Sequence, residues 1–323
     1  MSIITKVRNR VEKRIAYVFF RTFLRQDKNL VLFESYNGED NSYSCNPKAL
    51  YERMLNAPEY KAYRFIWSVQ KPEKFSFLQR NPRTSVVKKG SYGYLKLCAK
   101  ASYLFTNTGL PSYIWPGRRQ KLVYLWHGKP LKCIGCGIKG AGDGKRSKAK
   151  IDMDYRSSGR RLDILLSPAP VFSDVMSQAY ALSDKKRERA LLLCGYPRND
   201  FLFRYTKEDV ARVKAKLSVP EGKKVILYAP TWRPYRWIGG KSFEHVPVLD
   251  LDKLHEQLGD DYVFLCRLHH LERGSMRFDK HPGFVYDVSM VQDVNELYII
   301  SDTLVSDYSG TVFDFANLCR PIV

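Results

Sequence analysis

From residue 30 onward the chain repeats one pattern: a short apolar run, a segment of helical periodicity, then another short apolar run. Strands separated by a crossing helix pair side by side in parallel, and a parallel sheet keeps water off both faces with those helices. The apolar runs at 30–33, 63–69, 102–105, 122–125, 163–167 and 190–194 are therefore predicted strands of one sheet, with helices such as 47–55 and 171–180 between them. A second series follows, with strands predicted at 224–228, 262–268, 285–286 and 303–305. Thr206, with Asp209 three residues later, reads as the N-cap and capping box of a helix running to Leu217. The expectation is an α/β chain of two Rossmann-like domains, residues 28–205 and 206–323, each long enough to bury a core of its own.

Residues 1–27 follow a different pattern. Ile3, Ile4, Val7, Val11, Ile15, Val18, Phe19 and Phe23 fall at helical spacing, while Lys6, Arg8, Arg10, Lys13, Arg14, Arg21 and Arg25 fill much of the rest. Such an amphipathic helix suits an anionic membrane surface, and it equally suits packing as a basic helix on the protein itself. The formal net charge is +21, from 54 Lys and Arg against 33 Asp and Glu. That excess calls for an anionic partner: nucleic acid, acidic lipid or a phosphate-rich substrate. No aromatic RNA-binding pattern or DNA-reading motif is present, so nucleic acid is not expected. No apolar stretch approaches the roughly 20 residues that span a bilayer, and no secretory signal is evident, which points to the cytoplasm. Seven cysteines at irregular spacing fit reduced thiols, and the pair Cys133 and Cys136 lacks the second pair that a structural zinc site needs.

The residues that carry chemistry cluster after predicted strands. Trp126-His127-Gly128 ends the run 122–125 and is followed by Lys129-Pro130-Leu131-Lys132. A histidine carried past the carboxyl end of a strand lies where open α/β sheets bind ligands, and its near-neutral pKa suits a general base. Gly128 lets backbone approach a ligand closely, and Lys129 and Lys132 supply positive charge for an anionic substrate. Taken alone, these residues also fit a strand-end histidine that is only hydrogen-bonded to its surroundings. Gly135-Cys136-Gly137-Ile138-Lys139-Gly140 satisfies G-x-G-x-x-G, but polar and glycine residues continue to Ser147, so it reads as a mobile basic loop. Ser306-Asp307-Tyr308-Ser309 precedes a predicted helix at 311–318, where hydroxyls and free N–H groups form an anion site or Ser309 simply caps the helix.

Together with Phe33-Glu34-Ser35-Tyr36, Tyr43-Ser44-Cys45-Asn46-Pro47, Gly195-Tyr196-Pro197-Arg198-Asn199-Asp200 and Tyr228-Ala229-Pro230-Thr231-Trp232-Arg233, the Trp126-His127-Gly128 and Ser306-Asp307-Tyr308-Ser309 segments resemble the CDP-glycerol glycerophosphotransferase family in order and separation. That family includes teichoic acid primases and glycerophosphate polymerases. The resemblance runs from about Leu30 to Val323. It implies a GT-B fold, with two Rossmann-like domains facing a central cleft. It also implies transfer of a polyol phosphate from CDP-glycerol, or a related CDP donor, to a hydroxyl of a lipid-linked polymer, with release of CMP.

In that reading His127 is the general base and His269 a second catalytic residue. Arg233, Arg267, Ser306, Asp307 and Ser309 meet the donor, and Gly128, Lys129 and Lys132 meet the acceptor or its phosphates. Asp307 would repel a diphosphate if it faced one, so it is expected to orient a turn or contact a polyol hydroxyl. No Asp-x-Asp pair or His/Cys cluster suggests a metal, and no cofactor is expected. The chain ends at Arg320-Pro321-Ile322-Val323, which reads as the start of another strand, whereas family members continue; the second domain is expected to be C-terminally incomplete. The lipid-linked acceptor places the protein on the inner face of the cell membrane. The rival readings are a GT-B glycosyltransferase with a nucleotide-sugar donor and a non-catalytic basic protein that binds lipid or nucleic acid.

Overall fold

Consecutive strands whose side chains are buried on both faces exclude water only when helices cover the sheet they form, and the computed structural model contains two such sheets. It describes residues 3–36, 43–131, 133–141, 146–231, 237–239, 242–243, 249–268 and 280–323. Strands β1 (Asp27–Glu34), β2 (Arg64–Val69), β3 (Thr84–Lys88), β4 (Ala101–Thr106), β5 (Lys121–Tyr124), β6 (Ile164–Ser167) and β7 (Leu191–Leu193) form the first sheet, in the order β3-β2-β1-β4-β5-β6-β7. All its pairings are parallel. One face is aromatic: Phe33 of β1 stacks on Trp67 of β2 and Phe105 of β4, with ring centroids 5.4 and 5.2 Å apart. The opposite face packs Leu32, Leu104, Leu122 and Leu165 under Tyr94 and Leu95 of the helix Tyr92–Lys100. Strand β3 is absent from the sequence prediction because it is an edge strand, half-exposed over much of its length, and carries too short an apolar run to stand out.

The chain divides between Arg198 and Asn199. The sequence places that division near Thr206; in the structure the Pro197–Phe203 turn already sends Leu202 into the second core. Thr206 makes both bonds of the capping box with Asp209 and opens the helix Lys207–Lys216. Strands β8 (Lys224–Tyr228), β9 (Trp237–Gly239), β10 (Ser242–Phe243), β11 (Tyr262–Cys266), β12 (Val285–Asp287) and β13 (Thr303–Val305) follow. β9 and β10 make a separate antiparallel pair, and the others form a parallel sheet in the order β12-β11-β8-β13. Beside β13, Leu304 N donates to Pro321 O (3.0 Å) and Val323 N donates to Leu304 O (2.9 Å), so residues 321–323 run as a parallel neighbour of that strand.

The N-terminal helix Ile3–Phe23 lies on the first unit through Tyr17, which is fully buried and whose hydroxyl donates to Trp115 O at 3.0 Å. Ala16 and Phe20 complete this inner face. The row Val7, Val11, Ile15, Phe19 and Phe23 points the other way, with exposures of 55, 51, 64, 56 and 71%. Among the described residues, no helix is long and apolar enough to cross a membrane.

Candidate functional site

In each sheet the chain builds outward to one edge and then returns to the other side of its first strand. The reversal lies between β1 and β4 in the first sheet and between β8 and β13 in the second. Open α/β sheets bind ligands outside the carboxyl ends of the strands at this point. The sequence motifs fall there: the Ser35, His127 and Arg198 segments follow β1, β5 and β7, and the Ala229 and Ser306 segments follow β8 and β13.

Trp126, just past β5, adopts φ +54°, a left-handed conformation uncommon for a residue other than glycine. The turn is held from outside. Asn46 Nδ2 donates to the carbonyls of Leu125 (2.9 Å) and Trp126 (3.0 Å), and Asn46 Oδ1 accepts from Arg198 N (3.2 Å). Arg198 Nη1 donates to His127 O (2.7 Å), and the Tyr196 hydroxyl donates to Gly128 O (2.9 Å). Two motifs remote in sequence thus fix one turn.

The imidazole that this turn presents has Nδ1 2.7 Å from the carbonyl oxygen of Asn107. A carbonyl can only accept, so Nδ1 carries the proton and Nε2 of the neutral ring keeps its lone pair. The ring stacks on Trp126 at 4.5 Å between centroids and meets Tyr36 edge-on at 5.7 Å. Burial pushes the His127 pKa below its ordinary 6.5; the bond to Asn107 opposes this, and the nearby Arg198 charge adds to it. The residue is therefore neutral at pH 7 and able to accept a proton.

Asn107, Asn46 and Arg198 carry roles that sequence reasoning missed. Asn46 and Arg198 stand inside recognised motifs without any signal of what they touch, and Asn107 is marked only by its place after the run 102–105. Asn107 Nδ2 donates to Ser35 Oγ (3.3 Å), which donates to Ser44 O (3.1 Å). Asn107 Oδ1 is buried and has no protein partner among the described residues, which suits it to receive a ligand hydroxyl. Two residues on, Gly109 has φ +91°, and a Cβ there would lie 2.1 Å from the Tyr124 hydroxyl. At the end of β1, buried Glu34 is anchored by Lys89 Nζ (2.6 Å) and Ser68 Oγ (3.1 Å). A Cβ added at Gly128 would meet Arg198 Nη2 at 3.9 Å. Lys129 Nζ stands 6.0 Å from the Phe172 ring centroid, and Lys132 lies outside the described residues.

In the second unit Ser306 Oγ donates to Ala229 O (2.7 Å), and Asp307 Oδ1 accepts from Thr231 N (2.8 Å). Asp307 thereby shapes the turn after β8. Ser309 Oγ accepts from Thr311 N at 3.3 Å. The predicted helix at 311–318 is shorter than expected: an α-helix spans Thr311–Phe315 and a 3-10 turn Ala316–Leu318, with Gly310 at the N-cap. So short a helix aligns few peptide dipoles, and charged side chains must supply most of any anion attraction there. Arg267, just past β11, donates from Nη1 to Val291 O (2.6 Å) and from its backbone N to Tyr228 O (2.9 Å). Arg233 and His269 lie outside the described residues. The segment read as a mobile loop begins as a packed 3-10 turn, Gly135–Gly137: a Cβ on Gly135 would lie 2.5 Å from Ala179 O. Its residues 142–145 lie outside the described residues.

The family model for CDP-Glycerol:Poly(glycerophosphate) glycerophosphotransferase matches residues 16–323. The chain belongs to this family. It is 36% identical to a teichoic acid glycerol-phosphate transferase of Staphylococcus aureus, over 98% of this chain and 79% of that protein. It is 34% identical to a teichoic acid poly(glycerol phosphate) polymerase of Bacillus subtilis over 99% of this chain, but spans only 42% of that relative's length. Among solved structures, the wall teichoic acid polymerase TagF superposes with a TM-score of 0.84 at 31% identity, covering all of this chain and 79% of TagF. The chain thus has an α/β fold of GT-B type.

Proposed function

We propose that this chain transfers glycerol phosphate from CDP-glycerol to a hydroxyl of a membrane-linked teichoic-acid-type polymer, releasing CMP. The observation that carries the reading is the His127–Asn107 contact, which leaves Nε2 of the neutral ring as a proton acceptor. Nε2 takes the proton of the acceptor hydroxyl as its oxygen attacks the β-phosphorus, and the bond from that phosphorus to the departing CMP oxygen breaks. Arg267, Ser306 and Ser309, joined by Arg233 and His269, hold the donor phosphates; Asp307 acts through the Thr231 turn. Lys129 and Lys132 attract the phosphates of the acceptor. Cationic side chains, rather than a metal, neutralise the charge gathering on the leaving CMP. Relatives named for glycerol phosphate transfer support glycerol as the polyol.

The outward row of Val7, Val11, Ile15, Phe19 and Phe23, flanked by arginines, suits a cytoplasmic protein resting on an anionic membrane. Incubation with CDP-glycerol or UDP-sugars and a synthetic lipid-linked acceptor tests the assignment. CMP release with growth of the acceptor is expected; UDP release without CMP would replace it with the glycosyltransferase reading.

A further inference from the structure

Away from the transfer chemistry, the N-terminal helix and the loop 115–120 border a cavity of about 830 Å³. Arg14, Arg21, Arg25, Arg118 and Arg119 line it, and no Asp or Glu does. Among the described residues none of the five is ion-paired with a carboxylate. Two of them also build the wall: Arg14 Nη1 donates to Tyr113 O (3.1 Å) and Arg21 Nη1 to Trp115 O (2.9 Å). Gln26 Nε2 fixes the far side through Arg119 O at 2.9 Å. Guanidinium groups held together without a counter-charge repel one another, and an oxyanion with several acceptor oxygens relieves that repulsion while matching their planar forks.

The cavity lies at the amino ends of β1, β4 and β5, whereas Ser35, Asn107 and His127 follow the carboxyl ends of the same strands. The six residues of β4 alone separate the two by about 20 Å. On the same helix as Arg14 and Arg21, but on its outward side, the side chains of Ile15, Phe19 and Phe23 stand exposed. An oxyanion fits the cavity, and the outward row of the same helix offers apolar side chains to a surface beside it.

We propose that the arginine cavity is a phosphate-binding site, filled by the headgroup phosphate of an anionic phospholipid of the bilayer that the Ile15–Phe19–Phe23 row contacts. The source of the phosphate rests on the membrane-surface reading; the site itself does not. The site holds the protein in one orientation on the bilayer instead of leaving it to diffuse attraction.

The test compares two triple variants of equal charge change. Arg25→Gln/Arg118→Gln/Arg119→Gln alters the cavity and spares the two arginines that brace the loop. Lys61→Gln/Lys185→Gln/Arg189→Gln removes three exposed charges elsewhere on the same unit. Cosedimentation is measured with phosphatidylcholine vesicles with and without phosphatidylglycerol. Fluorescence of Trp115, identified by its loss in Trp115→Phe, is followed on adding soluble short-chain phosphatidylglycerol or inorganic phosphate. The cavity variant should lose about tenfold or more in affinity for the anionic vesicles and the control little. Equal losses would overturn the site in favour of diffuse attraction. If the native protein ignores vesicles but short-chain lipid still perturbs Trp115 in an arginine-dependent way, the site stands and the membrane reading falls. Inorganic phosphate competing as well as the lipid would overturn the lipid assignment, and no response to any probe would overturn the site.

Discussion

His127 Nδ1 and the carbonyl oxygen of Asn107 are 2.7 Å apart, so the imidazole is held in one tautomer before any acceptor arrives. His127→Ala should lower transfer about 10²- to 10⁴-fold, the usual contribution of a positioned base. Binding of CDP-glycerol should stay within a few-fold, because the base acts on the acceptor. Calorimetry beside a CMP-release assay separates the two, and undiminished turnover would remove His127 from the chemistry.

The same residue sets a pH dependence. Burial holds its pKa below 6.5, and the neutral ring is the active form, so kcat/KM should persist as the pH falls through 6.5 and decline only below it. On acidification the unfolded chain takes up this proton first, so the contribution of His127 to stability falls as the pH drops below 6.5. An acid limb in the pH–rate profile at or above 6.5 would assign the titration to another group.

Arg198 acts on His127 through the backbone carbonyl and through its charge. Arg198→Met removes the donor to His127 O and a positive charge that depresses the imidazole pKa. The acid limb should move to higher pH and kcat should fall more than donor affinity. Loss of stability by about 1–3 kcal/mol is expected, since a buried carbonyl loses a charged donor. A variant that is only less stable, with an unmoved pH profile, would reduce Arg198 to a scaffold residue.

At the donor side, Arg267→Lys and Ser309→Ala should weaken binding of CDP more than of cytidine, which lacks the phosphates. Asp307→Ala should affect both ligands alike, because it works through the backbone N–H of Thr231 at 2.8 Å. Titrations with the two ligands distinguish these patterns, and parallel losses in all three variants would move the phosphates elsewhere.

Membrane contact is best tested on the outward row. Deleting the first 25 residues would also strip fully buried Tyr17 from the core, whereas Phe19→Asp/Phe23→Asp changes only exposed rings. That variant should lose cosedimentation with anionic vesicles and activity on a lipid-linked acceptor, yet keep activity on a short soluble one. For the native protein, binding should weaken as salt rises, since the attraction fades within a Debye length of about 10 Å at 0.1 M. Undiminished cosedimentation of the double variant would move the contact to another surface.

The alternating pattern was legible because an interior parallel strand is buried on both faces and reads as an unbroken apolar run. β3 breaks that rule at the sheet edge, where Ser85 and Lys88 face water. Trp126-His127-Gly128 was visible as a motif, but the acceptor that fixes its tautomer stands 20 residues upstream, just past another strand, where no local pattern points to it. Periodicity likewise revealed an apolar stripe on the first helix without saying what it meets. The face toward the protein is instead the offset set Ala16, Tyr17 and Phe20, chosen by tertiary packing.

Gly109 belongs to the turn after β4 and Tyr124 to the end of β5, and their close approach lets the two strands finish level with each other. The Asn107 carbonyl hangs from that junction. A heavier residue at 109 must push the turn off the Tyr124 ring, and the imidazole would then follow its acceptor or let it go. A ligand-directed search for important residues would pass over Gly109, although the aim of the proton acceptor is calibrated there, by a hydrogen atom where any other residue carries carbon.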